Sequence, residues 1–108
     1  MKTAQNPHFV YIATNKRKTV LYTNCTDDLD SQMDLHRKQI IMNVRTFTSK
    51  YKVCYLLFYQ RCIDAREAER RKTEIKGWRR SKKMELIYSM NPELEFLEIP
   101  TKEESHPI

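Results

Sequence analysis

Two apolar runs that carry aromatic residues open the chain and flank a short, basic, turn-like segment. Both runs, Phe9–Thr14 and Val20–Asn24, are rich in the Val, Ile, Tyr and Thr that suit a half-buried pleated surface. The pattern predicts a β-hairpin closed by the four residues 15–18. With that loop, Tyr11 stands opposite Tyr22, and directly opposed residues point to the same face of the sheet. We therefore expect two phenols side by side.

A helix and a third strand are predicted next. Thr26 and the two aspartates after it suit a helix N-cap and first turn, and the helix extends to about Arg37. Residues 38–50 show little periodicity and are predicted to be mostly loop. The run Tyr51–Tyr59 is nearly continuous in apolar residues, which predicts a central strand.

Two more helices complete the pattern. Asp64 is suited to cap a helix over Ala65–Lys76, and Gly77 follows where a left-handed C-cap would end it. A further helix is predicted over about Arg79–Ser89, with three residues turned inward: Met84, Ile87 and Tyr88. The polar segment 100–108 is predicted to be a flexible tail, which leaves 1–99 as a single domain.

Charge and cysteine usage narrow the class of protein. The 108 residues carry a net charge of +6 with 31% charged residues, which favours an anionic partner. Three cysteines without CxxC spacing indicate free thiols in a reducing compartment rather than a zinc site or a disulfide framework. No signal-peptide pattern and no apolar run of membrane-spanning length is present, so we expect a cytoplasmic protein.

A lysine interrupts the apolar stripe of the Ala65–Lys76 helix. The stripe runs Ala65, Ala68, Lys72, Ile75. Lys72 is either a lysine whose stem is buried while its ammonium reaches water, or part of a site. Glu69, one turn before it, is placed to pair with it.

Cations are dense around the same helix. Trp78 lies among them and either packs against the core or stacks on a base. The density is typical either of a solvated face or of a phosphate-contacting surface. The eight cations are Arg70, Arg71, Lys72, Lys76, Arg79, Arg80, Lys82 and Lys83.

Four motifs in this order resemble those of the GIY-YIG nuclease superfamily. Val10-Tyr11-Ile12 with Leu21-Tyr22-Thr23 resembles its GIY and YIG elements, and Thr26–Leu29 with His36 resembles its next helix. Glu74–Lys83 resembles the IKGWRRxKK stretch of small stand-alone bacterial members, which are similar to the N-terminal part of the bacterial repair excinuclease. Met90–Glu93 resembles their MNPEW. The resemblance implies an α+β fold, a small three-stranded antiparallel sheet flanked by about three helices.

The resemblance also implies catalytic roles for particular residues. Tyr11 matches the tyrosine that helps to activate the attacking water, and Tyr22 and His36 match the residues that assist positioning and proton transfer. In the family, an arginine neutralises the scissile phosphate and a glutamate holds one divalent metal ion, usually Mg²⁺. Phosphodiester hydrolysis needs both a cation on the phosphoryl oxygens and a ligand for that metal.

The chain departs from the family pattern at three positions. Gln32 replaces the arginine and carries no charge for a bidentate phosphate contact. Lys72 replaces the metal-binding glutamate and puts a cation where Mg²⁺ prefers a carboxylate. Asn24 replaces the glycine of YIG, a milder change. Glu69 would serve as a displaced metal ligand only from most of a turn away.

These departures lead to the functional prediction. We expect a GIY-YIG-type domain that binds nucleic acid, in the form of DNA, with weak sequence specificity. We also expect no metal cofactor and the loss of most or all phosphodiester hydrolysis. Whether it is an enzyme at all stays open. The alternatives are an active DNA endonuclease with a displaced metal site and a non-catalytic protein-interaction module. Lys72 is expected to contact a phosphate as a fixed point charge.

Overall fold

The computed structural model describes residues 7–99, so the predicted tail 100–108 lies outside the described residues. The chain is an α+β fold in which a three-stranded antiparallel sheet is covered on both faces by helices. The elements in chain order are β1 (His8–Thr14), β2 (Leu21–Thr26), α1 (Leu29–Ile41), α2 (Phe47–Lys50), β3 (Tyr55–Cys62), α3 (Ala65–Lys76) and α4 (Arg80–Met90).

The sheet order is β2-β1-β3, so the prediction that the third strand is central was wrong. β1 is central, and Val10–Thr14 are fully buried. β3 begins at Tyr55 rather than Tyr51, and is apolar because helices cover both faces of the sheet. Asn91 braces this edge: its amide donates to the Leu57 carbonyl at 3.0 Å.

The hairpin register differs from the prediction by two residues. Tyr11 stands opposite Asn24, and Tyr22 stands opposite Ala13. The loop is longer than four residues because the Asn15 side chain accepts from the backbone N–H groups of Thr19 (2.9 Å) and Val20 (3.1 Å), which delays the second strand until Leu21. Residues two apart on a strand share a face, so both phenols still lie on the same side of the sheet.

Two side-chain layers divide the core between the sheet faces. One layer joins Tyr11 and Ala13 to Leu29 and Met33 of α1. The opposite layer joins even-numbered residues of β1 to α3 and α4: Val10, Ile12, Ala68, Ile75 and Ile87. Within residues 7–99 no helix is long and apolar enough to cross a membrane.

The predicted helix ends are confirmed for α3 and wrong in two other respects. The α3 boundaries are as predicted, with the Asp64 carboxylate accepting from the Glu67 N–H at 2.9 Å. Gly77 is not left-handed, however, since its φ is −80°. The segment 38–50 is not mostly loop, because α1 continues to Ile41 and α2 occupies one turn.

Two residues expected to face inward do not. Tyr88 is 47% exposed on α4, where Ile87 takes the buried position and Met84 is partly buried. Ala65 is exposed at the start of α3, so the buried stripe of that helix is Ala68 and Ile75.

Candidate functional site

A buried hydrogen bond joins the central strand to α1. The Tyr11 hydroxyl lies 2.9 Å from Nε2 of His36, and both side chains are buried. Burial raises the pKa of Tyr11, with the neighbouring Tyr22 adding to the rise, and burial lowers the pKa of His36. At neutral pH the pair is therefore a phenol hydrogen-bonded to a neutral imidazole, with no phenolate present.

Tyr22 packs beside this pair at the open edge of the sheet. Its ring centroid lies 5.7 Å from that of His36, edge-on, and 6.4 Å from that of Tyr11. The Asn24 side-chain amide donates from Nδ2 to the Tyr22 hydroxyl at 3.0 Å, and its side-chain oxygen Oδ1 accepts from the Cys25 N–H at 2.8 Å. Asn24 thus orients the Tyr22 phenol. The only sign of this role in the sequence is that Asn24 follows Tyr22 by two residues on one strand, so that the two side chains share a face.

Gln32, on α1, lies close to the Tyr11 hydroxyl. Its amide is close enough to the Tyr11 hydroxyl to lower the pKa of that phenol against the larger effect of burial. Gln32 is partly buried, one turn before His36. It offers a neutral donor where a charge-neutralising arginine is expected from the family resemblance.

Lys72 lies on α3, the helix that covers the opposite face of the sheet and packs against the edge strand β2. Its Nζ lies 2.9 Å from Glu69 Oε1, and the Cys25 thiol donates to Glu69 Oε2 at 3.3 Å. The Lys72 side chain is 20% exposed and that of Glu69 is 61% exposed. The bond to Glu69 raises the pKa of Lys72, and the proximity of Cys25 and Tyr22 adds to the rise. The ammonium therefore stays charged in its pair with Glu69.

This donor set does not suit a divalent metal ion. Among residues 7–99, no three His, Cys, Asp or Glu side chains are grouped as metal ligands. Glu69 is neutralised by Lys72, and His36 Nε2 is engaged by Tyr11. The cationic Lys72 would repel Mg²⁺ where the family pattern supplies a carboxylate.

The cationic cluster separates into paired and unpaired members. Arg70 and Arg71 both contact Glu74, at 3.6 and 3.0 Å, and Arg80 donates to the carbonyls of Lys18 and Thr19. Five members form no salt bridge with any described residue. Of these, Arg80 is held by the two carbonyls and Lys82 lies over the Trp78 ring, which leaves Lys76, Arg79 and Lys83. These three are the cations of the cluster most available to an external anion.

Trp78 packs against the core layer formed by α3 and α4. Arg71 lies 5.2 Å and Lys82 4.3 Å from its ring centre. Of the two roles considered for this residue, core packing is the one that its contact with this layer supports.

An aromatic neighbour of the site was missed because residues 38–50 were predicted to be mostly loop. Phe47 on α2 stacks on Tyr22, with ring centroids 5.8 Å apart and an interplanar angle of 24°. The available signal was Thr46 followed three residues later by Ser49, since the Thr46 hydroxyl accepts from the Ser49 N–H and caps this one-turn helix.

Comparisons with known proteins agree with this architecture. Residues 7–85 match the GIY-YIG catalytic domain family. The fold is similar to the NMR structure of the UPF0213 protein BH0048 from Bacillus halodurans, at 25% identity and a TM-score of 0.51 over 81% of this chain and 88% of that one. A comparison with curated proteins finds no significant match. With the family match spanning most of its length, the chain belongs to the GIY-YIG catalytic domain family.

Proposed function

We propose that this chain binds nucleic acid, DNA in the first instance, with weak sequence specificity, and that metal-dependent phosphodiester hydrolysis is lost or severely reduced. The observation that carries the proposal is the position of Lys72, whose ammonium is held 2.9 Å from Glu69 while its side chain is only 20% exposed. This chain has a cation where the family resemblance places a metal-binding carboxylate, and the neighbouring carboxylate of Glu69 is paired with that cation.

Lys72 suits phosphate binding for physical reasons. Its side chain is only 20% exposed, so solvent screens its charge less than that of a surface lysine. A phosphate oxygen placed near Nζ competes with Glu69, whose side chain is 61% exposed and free to move into water. The net charge of +6 adds a sequence-independent attraction for the backbone of a nucleic acid.

Fluorescence anisotropy with labelled DNA at several salt concentrations tests binding. We expect the affinity to fall steeply with salt, and Lys72→Glu to weaken binding more than Lys16→Glu does. Lys16 is the matched control because it is exposed at the hairpin tip and its substitution changes the charge equally. Equal losses in the two variants would exclude a special role for Lys72. No affinity in wild type at low salt would instead favour the protein-interaction module.

Incubation with supercoiled and branched DNA in Mg²⁺ or Mn²⁺ tests catalysis. We expect no cutting by the wild-type chain. Metal-dependent cutting that disappears in Tyr11→Phe would overturn the hypothesis that hydrolysis is lost and would favour a displaced metal site. The double substitution Gln32→Arg with Lys72→Glu provides the positive counterpart, since cutting gained only there would trace the loss to these two positions.

A further inference from the structure

An exposed row of aromatic rings leads outward from the candidate site. Tyr22, Phe47 and Tyr51 form this row, which we name the aromatic step. Phe47 stacks on Tyr22, and the Phe47 and Tyr51 centroids lie 4.9 Å apart at 51°. Phe47 is 51% exposed and Tyr51 is 40% exposed. Apolar ring surface is therefore presented to solvent directly beside the site.

Polar anchoring holds the aromatic step outward. In α2 the buried residues are Thr48 and Ser49, and the Ser49 hydroxyl donates to the Gln39 carbonyl at 3.2 Å. Because these small side chains take the inward positions, Phe47 is turned away from the core. The turn is capped by Thr46, so the ring is carried by an ordered backbone.

The chain segment that carries Phe47 and Tyr51 contains cations and no acidic residue. No Asp or Glu occurs between residues 35 and 63, whereas this stretch contains Arg45, Lys50 and Lys52 close to the step in sequence. Lys50 Nζ lies 5.3 Å from the centre of the Tyr51 ring. Partly exposed aromatic rings on a segment with cations and without acidic residues suit a partner that is both aromatic and anionic, which describes a nucleotide with a free base face.

We propose that the aromatic step stacks the unpaired bases of single-stranded DNA whose backbone contacts the Lys72 ammonium. This inference rests on the proposed function and specifies its substrate. Bases in a duplex are already stacked on one another, so the step would gain nothing from them without unstacking. Trp78 does not offer the same surface, because its ring packs against the core layer formed by α3 and α4.

Three labelled ligands separate stacking from charge: single-stranded oligothymidylate, an abasic strand of equal length and charge, and a duplex. We expect wild type to bind oligothymidylate at least about fivefold more tightly than the abasic strand. Phe47→Leu should remove that preference and leave affinity for the abasic strand unchanged, while Phe47→Tyr should keep it. Tyr88→Leu is the matched control, since Tyr88 is similarly exposed, on α4.

The outcomes distinguish failure of this inference from failure of the proposed function on which it rests. If oligothymidylate and the abasic strand bind equally in wild type, or if Phe47→Leu retains the preference, the aromatic step does not stack bases although nucleic acid is bound. If none of the ligands binds at low salt, the proposed function itself fails. Tighter binding of the duplex than of oligothymidylate would also overturn the assignment to single-stranded DNA. Binding of an RNA strand without binding of oligothymidylate would do the same.

A Phe47→Trp variant gives a direct spectroscopic readout. Stacking of a base on the new indole should quench its emission when oligothymidylate is added, but not when the abasic strand is added. The wild-type chain, with Trp78 alone, supplies the background signal. Unquenched emission at saturating oligothymidylate would contradict the inference. Emission before addition and a urea titration show separately whether the variant is folded.

Discussion

The Tyr11 hydroxyl and Nε2 of His36 are 2.9 Å apart in the interior between the sheet and α1. Both side chains are almost fully buried, and His36 Nδ1 has no hydrogen-bond partner among the described residues. A buried polar atom that loses its partner costs more free energy than a hydrogen bond usually contributes. The two residues that match the family's catalytic pattern are therefore also part of what stabilises the fold.

Tyr11→Phe should destabilise the protein by about 1–3 kcal/mol, because it leaves His36 Nε2 buried without a partner. Urea unfolding measures the change. Tyr59→Phe is the matched control, since the Tyr59 hydroxyl forms no hydrogen bond with a described residue and its ring contact with Phe9 does not need it. A Tyr11→Phe protein as stable as Tyr59→Phe would show that the hydrogen bond contributes nothing net.

Stability should fall as the pH drops below about 6.5, because burial lowers the pKa of His36 from that ordinary value. In this window the unfolded chain binds the proton more readily than the folded one, so acid favours unfolding. The stability contributed by the neutral imidazole is complete above the unfolded pKa and is lost as the pH falls toward the folded one. Urea midpoints between about pH 7 and about pH 5 should decline in wild type and stay flatter in His36→Gln. Parallel declines would contradict this.

The helices and strands could be predicted where local chemistry determined them. The α3 boundaries follow from Asp64, whose carboxylate caps the first turn, and from the glycine after Lys76. The hairpin register could not be read in the same way, because it depends on the Asn15 side chain binding two backbone N–H groups of its own loop. Strand order is a tertiary property, and an apolar run such as Tyr55–Cys62 is compatible with a covered edge as well as a centre.

The candidate site was predictable to a similar extent. The sequence places Tyr11, Tyr22 and His36 in order, and the structure brings their rings within 6.4 Å of one another. Contacts between β2 and α3, such as that of Cys25 with Glu69, join residues 44 positions apart and leave no local pattern. Phe47 was missed because a one-turn helix is too short to show periodicity.

The reactivity of Cys25 should report the Glu69–Lys72 pair. Burial raises the pKa of the Cys25 thiol, the bond to Glu69 raises it further, and Lys72 lowers it. Glu69→Gln should therefore speed alkylation of Cys25 at about pH 8 by a few fold, and Lys72→Gln should slow it, because the thiolate is the reactive form. Peptide mass spectrometry measures the rate, with Cys54 as the internal control. Equal rates in both variants would mean that the pair does not act on the thiol.

Two adjacent arginines should separate the structural from the ligand-binding part of the cationic cluster. Arg80 donates from Nη1 and Nη2 to the carbonyls of Thr19 and Lys18, which ties α4 to the hairpin loop. Arg79 is exposed and forms no salt bridge with a described residue. Arg80→Ala should lower the free energy of unfolding by about 0.5–1.5 kcal/mol, whereas Arg79→Ala should change it by less than about 0.5 kcal/mol.

DNA affinity should respond to the same two substitutions in the opposite order. Arg79→Ala should reduce affinity and make the salt dependence shallower by about one counterion, since its guanidinium is open to a phosphate. Arg80→Ala should weaken binding less at temperatures where it is folded, because its guanidinium is already committed to backbone carbonyls. Arg80→Lys keeps the charge but loses the two-pronged contact, so it should reproduce the stability loss of Arg80→Ala without its loss of charge. Equal effects of Arg79→Ala and Arg80→Ala on both stability and affinity would contradict this division of the cluster.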